Sequence, residues 1–132
     1  MYLLDTNTCI RYINGRSPSI RTKLASIPLI EVGVSIITKA ELFYGSAKSQ
    51  YPEISRRRQQ EFLVTVQDVL FDEECAKVYG TIRARLELKG TPIGGNDLLI
   101  ASTAIAKSLI LVTHNTREFS RIDEIRLEDW ET

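Results

Sequence analysis

Residues 1–7 read MYLLDTN: four apolar or aromatic residues run into Asp5, Thr6 and Asn7, and a helix-like stretch follows at once. Tyr2 to Leu4 reads as a short buried strand, and Asp5-Thr6-Asn7 as the turn that ends it. A carboxylate then stands at the strand's C-terminal lip. In open α/β sheets that lip is where ligands bind. Asp5 therefore has two readings from the outset, a cap for the next helix or a residue that holds something.

The rest of the chain fits the strand-then-helix grammar. Ser17-Pro18 reads as an N-cap with proline in the first turn of a helix through Ile20, Leu24 and Ile27. Ile30 to Ser35 (IEVGVS) reads as a second strand, and from Ile36 the pattern turns helical through Leu42, Phe43 and Ala47. Pro52 opens a helix expected to reach about Asp68, and Val69 to Phe71 is expected as a short strand. Asp72 then caps a long amphipathic helix ending at Gly90. Thr91 to Asn96 (TPIGGN) reads as a loop and Leu98 to Lys107 as a very apolar helix. Leu109 to Thr113 (LILVT) reads as a buried strand, and Arg126-Leu127 as a last edge strand. Strands that alternate with helices require crossovers, so the sheet is expected to be parallel and flanked by helices, an α/β fold.

Bulk properties exclude several classes. The 132 residues suit one domain with a real core, and no repeat or linker divides them. At 43% hydrophobic and 26% charged residues the composition is that of an ordinary soluble protein. No segment has the apolar length to span a bilayer, and positions 1–30 lack a signal peptide's pattern, so the cytoplasm is the expected location. Two distant cysteines, Cys9 and Cys75, suit reduced thiols rather than a disulfide scaffold. Zero formal net charge means that no global basic field advertises nucleic acid.

Most acids sit beside Lys or Arg on helix faces, but four do not. Asp5 ends the first strand and Glu41 lies one turn into the helix of SIITKAELFYG. Asp97 opens the helix of GGNDLLIAS, and Glu118 follows the last buried strand in LVTHNTREF. In a parallel sheet these positions share one crevice, where gathered acids repel unless a cation is placed among them. A divalent ion such as Mg²⁺, which takes hard oxygen ligands and keeps several waters, answers that need. Singly, each acid also has a plain structural reading. Asp5 fits a helix cap, as does Asp97 with Asn96; Thr38 and Glu41 stand at capping-box spacing; Glu118 fits a surface acid paired with Arg117 or Arg121. Spacing alone leaves both sets of readings open. The one histidine, His114, is too little for a Ser-His-Asp triad or a His-rich zinc site, and reads as a loop residue near the crevice. No phosphate-cradling glycine motif is present.

Taken together, MYLLDTNTCI, SIITKAELFYG, TPIGGNDLLIAS and LVTHNTREF resemble the four motifs of the PIN-domain family, specifically its VapC-type toxins, in order and from Met1 to about Trp130. The resemblance implies a three-layer α/β/α sandwich with a central, mostly parallel sheet. It also implies a metal-dependent endoribonuclease, the toxin half of a bacterial toxin–antitoxin pair, cutting structured RNA such as tRNA and so inhibiting translation. Asp5, Glu41 and Asp97 match the acids that hold Mg²⁺ or Mn²⁺. Glu118 is the candidate fourth acid, because Asn115 stands where many relatives carry one. Thr6, Asn7, Ser35 and Thr113 match polar positions that orient the acids or water. From both arguments, Asp5 and Asp97 are expected to hold the metal and Glu41 to orient the attacking water, leaving a 3′-hydroxyl and a 5′-phosphate. Arg11, Lys39, Arg117 and Arg121 lie near the motifs as candidate phosphate contacts.

The helices from Ile36 to Lys48 and from Pro52 to Asp68 are expected to form a hairpin. In VapC relatives such a hairpin receives the antitoxin, here with Leu42, Phe43, Phe62, Leu63 and Val66 available. The same residues also suit simple packing on the sheet. A homodimer is expected, with DNA met only through the antitoxin. Two rival readings stand beside it: a non-catalytic PIN-like module that binds RNA or protein, against which the retained Asp5, Glu41 and Asp97 speak, and a receiver-type or phosphatase-like α/β domain with Asp5 as phosphoacceptor, for which Asp5-Thr6-Asn7-Thr8 supplies no second acid.

Overall fold

A computed structural model describes residues 1–131. Strand β1 (Tyr2–Leu4) leads to α1 (Thr6–Ile13) and α2 (Pro18–Ala25), and one 3-10 turn (Leu29–Glu31) enters β2 (Val32–Ser35). Helices α3 (Ile36–Ala47) and α4 (Pro52–Leu63), strand β3 (Gln67–Val69), and helices α5 (Glu73–Leu88) and α6 (Gly95–Ala106) follow. Strand β4 (Ile110–Val112), helix α7 (Thr116–Phe119) and strand β5 (Arg126–Glu128) complete the order. The sheet order is β3-β2-β1-β4-β5 and every pairing is parallel. Among the described residues no helix is long and apolar enough to cross a membrane.

Burial on both faces explains the strands' apolar character. Successive side chains alternate sides, so Leu3 and Leu111 point to one core while Leu4, Val34 and Val112 point to the other. The first core is closed by α5, α6 and α7 through Ile82, Leu86, Ile100 and Phe119. The second is closed by α1 to α4 and Trp130 through Cys9, Ile20, Leu24, Leu42 and Phe62. Both cysteines are free and buried.

Several expected boundaries move. Strand β2 starts at Val32 rather than Ile30, because Pro28 turns the chain and its carbonyl accepts from Glu31 N at 2.9 Å. Helix α4 ends at Leu63 rather than near Asp68, and β3 occupies Gln67–Val69 rather than Val69–Phe71. Gln67 and Asp68 are exposed on this edge strand, so apolar periodicity does not mark it. Helix α6 begins at Gly95, inside the expected loop. Gly90 adopts a φ of 71° just past Lys89, the left-handed position that a helix-ending glycine supplies without a Cβ penalty.

The connections leave β1 and β4 in opposite directions, β1 toward β2 and β4 toward β5. The crevice of such a sheet opens between those two strands, at their C-terminal ends. Asp5 N donates to Val112 O at 3.0 Å, tying the two ends together there.

Candidate active site

Asp5 is buried at this switch point. Its carboxylate accepts from Thr8 N at 2.9 Å, capping α1, and from the Thr113 hydroxyl at the end of β4. Cap and crevice readings thus meet in one side chain. Burial pushes its pKa up, the Thr113 and Thr8 hydrogen bonds pull it back, and the charge of Glu131 adds to the rise.

Glu41 is reached from two sides. Thr6 donates its hydroxyl to Oε1 at 2.5 Å, and Asn96 donates Nδ2 to Oε2 at 3.3 Å. The Thr6 and Thr38 hydroxyls lie 3.1 Å apart. The capping-box reading of Thr38 and Glu41 does not hold: α3 starts one turn earlier, where buried Ser35 Oγ accepts from Thr38 N at 3.0 Å. Glu41 lies too far along α3 to serve the helix end.

Asp97 stands in the first turn of α6, and neither it nor Asn96 caps the helix, because Gly94 holds the N-cap position without a side-chain bond. Its pKa is pushed up to about 6, first by burial and then by the charges of Glu118, Glu41 and Asp5. Those causes place Glu118, Glu41 and Asp5 close enough for their charges to act on Asp97. Glu118 accepts from Asn115 Nδ2 at 2.9 Å and Gly94 N at 3.4 Å, not from Arg117 or Arg121. Thr113 Oγ1 accepts from Asn115 N at 3.0 Å, which fixes the start of the loop carrying Glu118.

The donor set suits a hard divalent cation. Four carboxylates share the crevice, and among the described residues none of them is in an ion pair. Burial raises the Asp97 pKa most, and the uncompensated charges of Glu118, Glu41 and Asp5 add to the rise. The four do not form a tight cage: among the described residues, the three-residue group whose candidate ligand atoms lie within 4.8 Å of one another is His114, Asp129 and Glu131. A looser ring fits an ion that keeps several waters and takes few carboxylates directly.

The remaining predicted residues divide. Asn7 is exposed on the first turn of α1. Arg11 pairs with Glu131 and Lys39 with Asp68, so both cations are already engaged by acids. Arg121 donates to Pro92 O at 2.9 Å, and Arg117 is exposed on α7. Leu42, Phe62, Leu63 and Val66 belong to the core, and Phe43 is half-buried with the Arg56 guanidinium 4.7 Å above its ring. A groove of about 370 Å³ nevertheless runs between α1 and the α3–α4 hairpin. Leu42 is the one of these five that lines it, beside exposed Ile10, Tyr51 and Ile54, and Glu41 stands at its wall. Sequence reading missed the rim built by His114, Asp129 and Glu131, in which His114 Nδ1 lies 2.9 Å from Asp129 Oδ2. No spacing announces it, because its parts come from the β4–α7 loop and the residues after β5.

A parallel sheet with acids gathered at its switch point is the architecture of a PIN domain, and a sequence model of the PIN domain matches residues 2–125. The chain belongs to the PIN-domain family. It is 41% identical to ribonuclease VapC2 of Rickettsia felis over 99% of this chain and 98% of that protein. It is 40% identical to the tRNA(fMet)-specific endonuclease VapC of Salmonella typhimurium, over 98% of this chain and 97% of the relative. Its fold superposes with a TM-score of 0.92, at 40% identity and 98% coverage of both chains, on the crystal structure of VapBC2 from Rickettsia felis bound to a DNA fragment from their promoter.

Proposed function

We propose that this chain is a metal-dependent endoribonuclease, the toxin of a VapBC-type pair. The observation that carries the reading is Asp97, a half-buried carboxylate raised to about 6 by its own desolvation and by the charges of Glu118, Glu41 and Asp5. Acids are kept together at such electrostatic cost where a cation is to be bound. The similarity to proteins named ribonuclease and tRNA(fMet)-specific endonuclease supports the chemistry and makes tRNA the first substrate class to try.

Asp5 and Asp97 would hold Mg²⁺ or Mn²⁺, and Glu118 would complete the acidic ring with Asn115 steadying it. The ion, when bound, would offset charge growing on the scissile phosphate and acidify a water. Glu41, which accepts from Thr6 and Asn96, would orient that water and accept its proton. Ser35 and Thr113 keep α3 and the β4 lip in register with the acids. Arg117 and Arg121, on the α7 side, are candidate phosphate contacts.

The likeness to a VapBC assembly supports a cognate antitoxin as partner, with DNA reached through it. The groove of Ile10, Tyr51 and Ile54 beside Glu41 is the surface we assign to it, with the toxin pairing as a homodimer in the cytoplasm.

Incubation of the purified protein with total bacterial RNA in Mg²⁺ or Mn²⁺ tests the reading. Cleavage is expected, abolished by EDTA and lowered at least a hundredfold by Asp97→Asn. Cleavage indifferent to both would overturn the carboxylate–metal mechanism, and binding of RNA without any cutting would favour a non-catalytic PIN-like module.

A further inference from the structure

The acidic crevice poses a problem for a polyanionic substrate, since two of the cations that flank it are taken. Arg11 pairs with Glu131 and Lys39 with Asp68. Charge is unevenly distributed along the chain: residues 1–66 carry nine Lys or Arg against five Asp or Glu, and residues 67–132 carry eight against twelve. The basic half supplies α1 to α4, which cover one face of the sheet.

On that face a hollow of about 390 Å³ is walled by Tyr12, Arg21, Arg58, Phe62 and Thr65, with Glu61 at its side. Among the described residues neither Arg21 nor Arg58 has an ion-pair or hydrogen-bond partner for its guanidinium, even though Glu61 is one turn from Arg58. Space around Arg21 is kept by Gly15, whose φ is 65° and whose added Cβ would lie 3.2 Å from Arg21 Nη2. The hollow adjoins the groove: Ile13 and Arg58 line both, and the groove's wall includes Glu41. Helix α1 sets the separation, since the seven residues from Asp5 to Tyr12 rise about 10 Å.

We propose that Arg21 and Arg58 form a phosphate-binding exosite that grips the backbone of the RNA substrate away from the bond being cut. Two unpaired guanidinium forks at one hollow, with Tyr12 also lining it, match the donors that phosphate oxygens accept; the Thr65 hydroxyl is spent on Phe62 O at 2.6 Å. Such contacts fix the strand's register without reading its bases. The strand would then cross from this basic face over the acids, where the cation rather than the protein meets the phosphate. The inference rests on the ribonuclease reading and adds a binding site that the four acids do not supply.

Fluorescence anisotropy of a fluorescein-labelled single-stranded RNA, in EDTA and over a series of NaCl concentrations, tests it without requiring cleavage. Arg21→Gln, Arg58→Gln and the double variant are compared with Lys77→Gln, an exposed change on α5. The double variant is expected to bind at least tenfold more weakly at low salt. The slope of log affinity against log salt should fall by about 0.7 for each arginine removed. In cleavage assays with metal its KM should rise more than its kcat falls. Wild-type affinity and slope in the double variant, or an equal loss in Lys77→Gln, would overturn the exosite. Arginine-dependent binding of poly-glutamate in place of RNA would assign the hollow to an acidic protein segment and also overturn it. A double variant with unchanged KM in an active enzyme removes the exosite alone; a wild-type protein that neither binds nor cuts any RNA removes the ribonuclease reading with it.

Discussion

Asp97 ties the site's chemistry to the stability of the fold. Burial and the neighbouring acids push its carboxyl up to about 6, against 3.8 for an unperturbed group. Between those values the folded chain holds a proton that the unfolded chain has released, so folding stability falls as pH rises through that window. Asp97→Asn removes the charge and with it this part of the slope. In EDTA, the melting temperature of the variant minus that of the wild type is therefore expected to grow from pH 4 to pH 7. A flat difference would mean that the fold does not hold the Asp97 proton above its unfolded value. Asp5, Glu41 and Asp97 were legible in the sequence because each follows a strand or opens a helix within a short motif. What holds them was not: Thr6 and Asn96 come to Glu41 from 35 and 55 residues away, and no local pattern encodes such a distance. The same blindness hid Glu131 behind Arg11 and Asp68 behind Lys39.

Elements reach the site through their first turns. Asp5 caps α1 and Ser35 caps α3, and in each case the capping atom is a side-chain oxygen accepting from the backbone N–H three residues on. Asn can keep that bond at position 5 while losing the charge, whereas Ala cannot. Asp5→Ala is therefore expected to be less stable than Asp5→Asn by about 1 kcal/mol in urea unfolding, with both inactive. Ser35→Ala should cost about 1 kcal/mol as well, and should lower cleavage because α3 carries Glu41. Equal stabilities for Asp5→Ala and Asp5→Asn would show that the cap contributes nothing. Strand β1, β4 and the helices with clear apolar stripes were legible in the sequence; β3 was not. Its pairing places Gln67 and Asp68 opposite Gly33 and Val34, and an edge strand with two exposed polar residues carries no apolar signature. The α3–α4 hairpin was legible as a hairpin, but not which side chains it keeps for the core and which, like Tyr51 and Ile54, it leaves to the groove.

At the scale of the whole molecule, one sheet serves two cores, and we propose that the chain unfolds as a single domain. Leu111 is fully buried against α5 and α6, while Trp130 lies in the opposite core with its ring 5.4 Å from that of Tyr2. Leu111→Ala is expected to cost between about 2 and 5 kcal/mol. Trp130 fluorescence, on the far side of the sheet, should shift with far-UV circular dichroism to the same lower denaturant midpoint. Two separated transitions would divide the chain into two units. The sheet order also has a consequence during synthesis. Strand β1 is central, and one of its two neighbours, β4, pairs Tyr2 with Ile110 and Leu4 with Val112. A nascent chain therefore presents Asp5 at the ribosome's exit first and must wait for Asp97 and β4 before the crevice closes around it. Translation halted between β3 and β4 yields a fragment with three of the five strands and without Glu118, so the four acids cannot come together until the last quarter of the chain has been made.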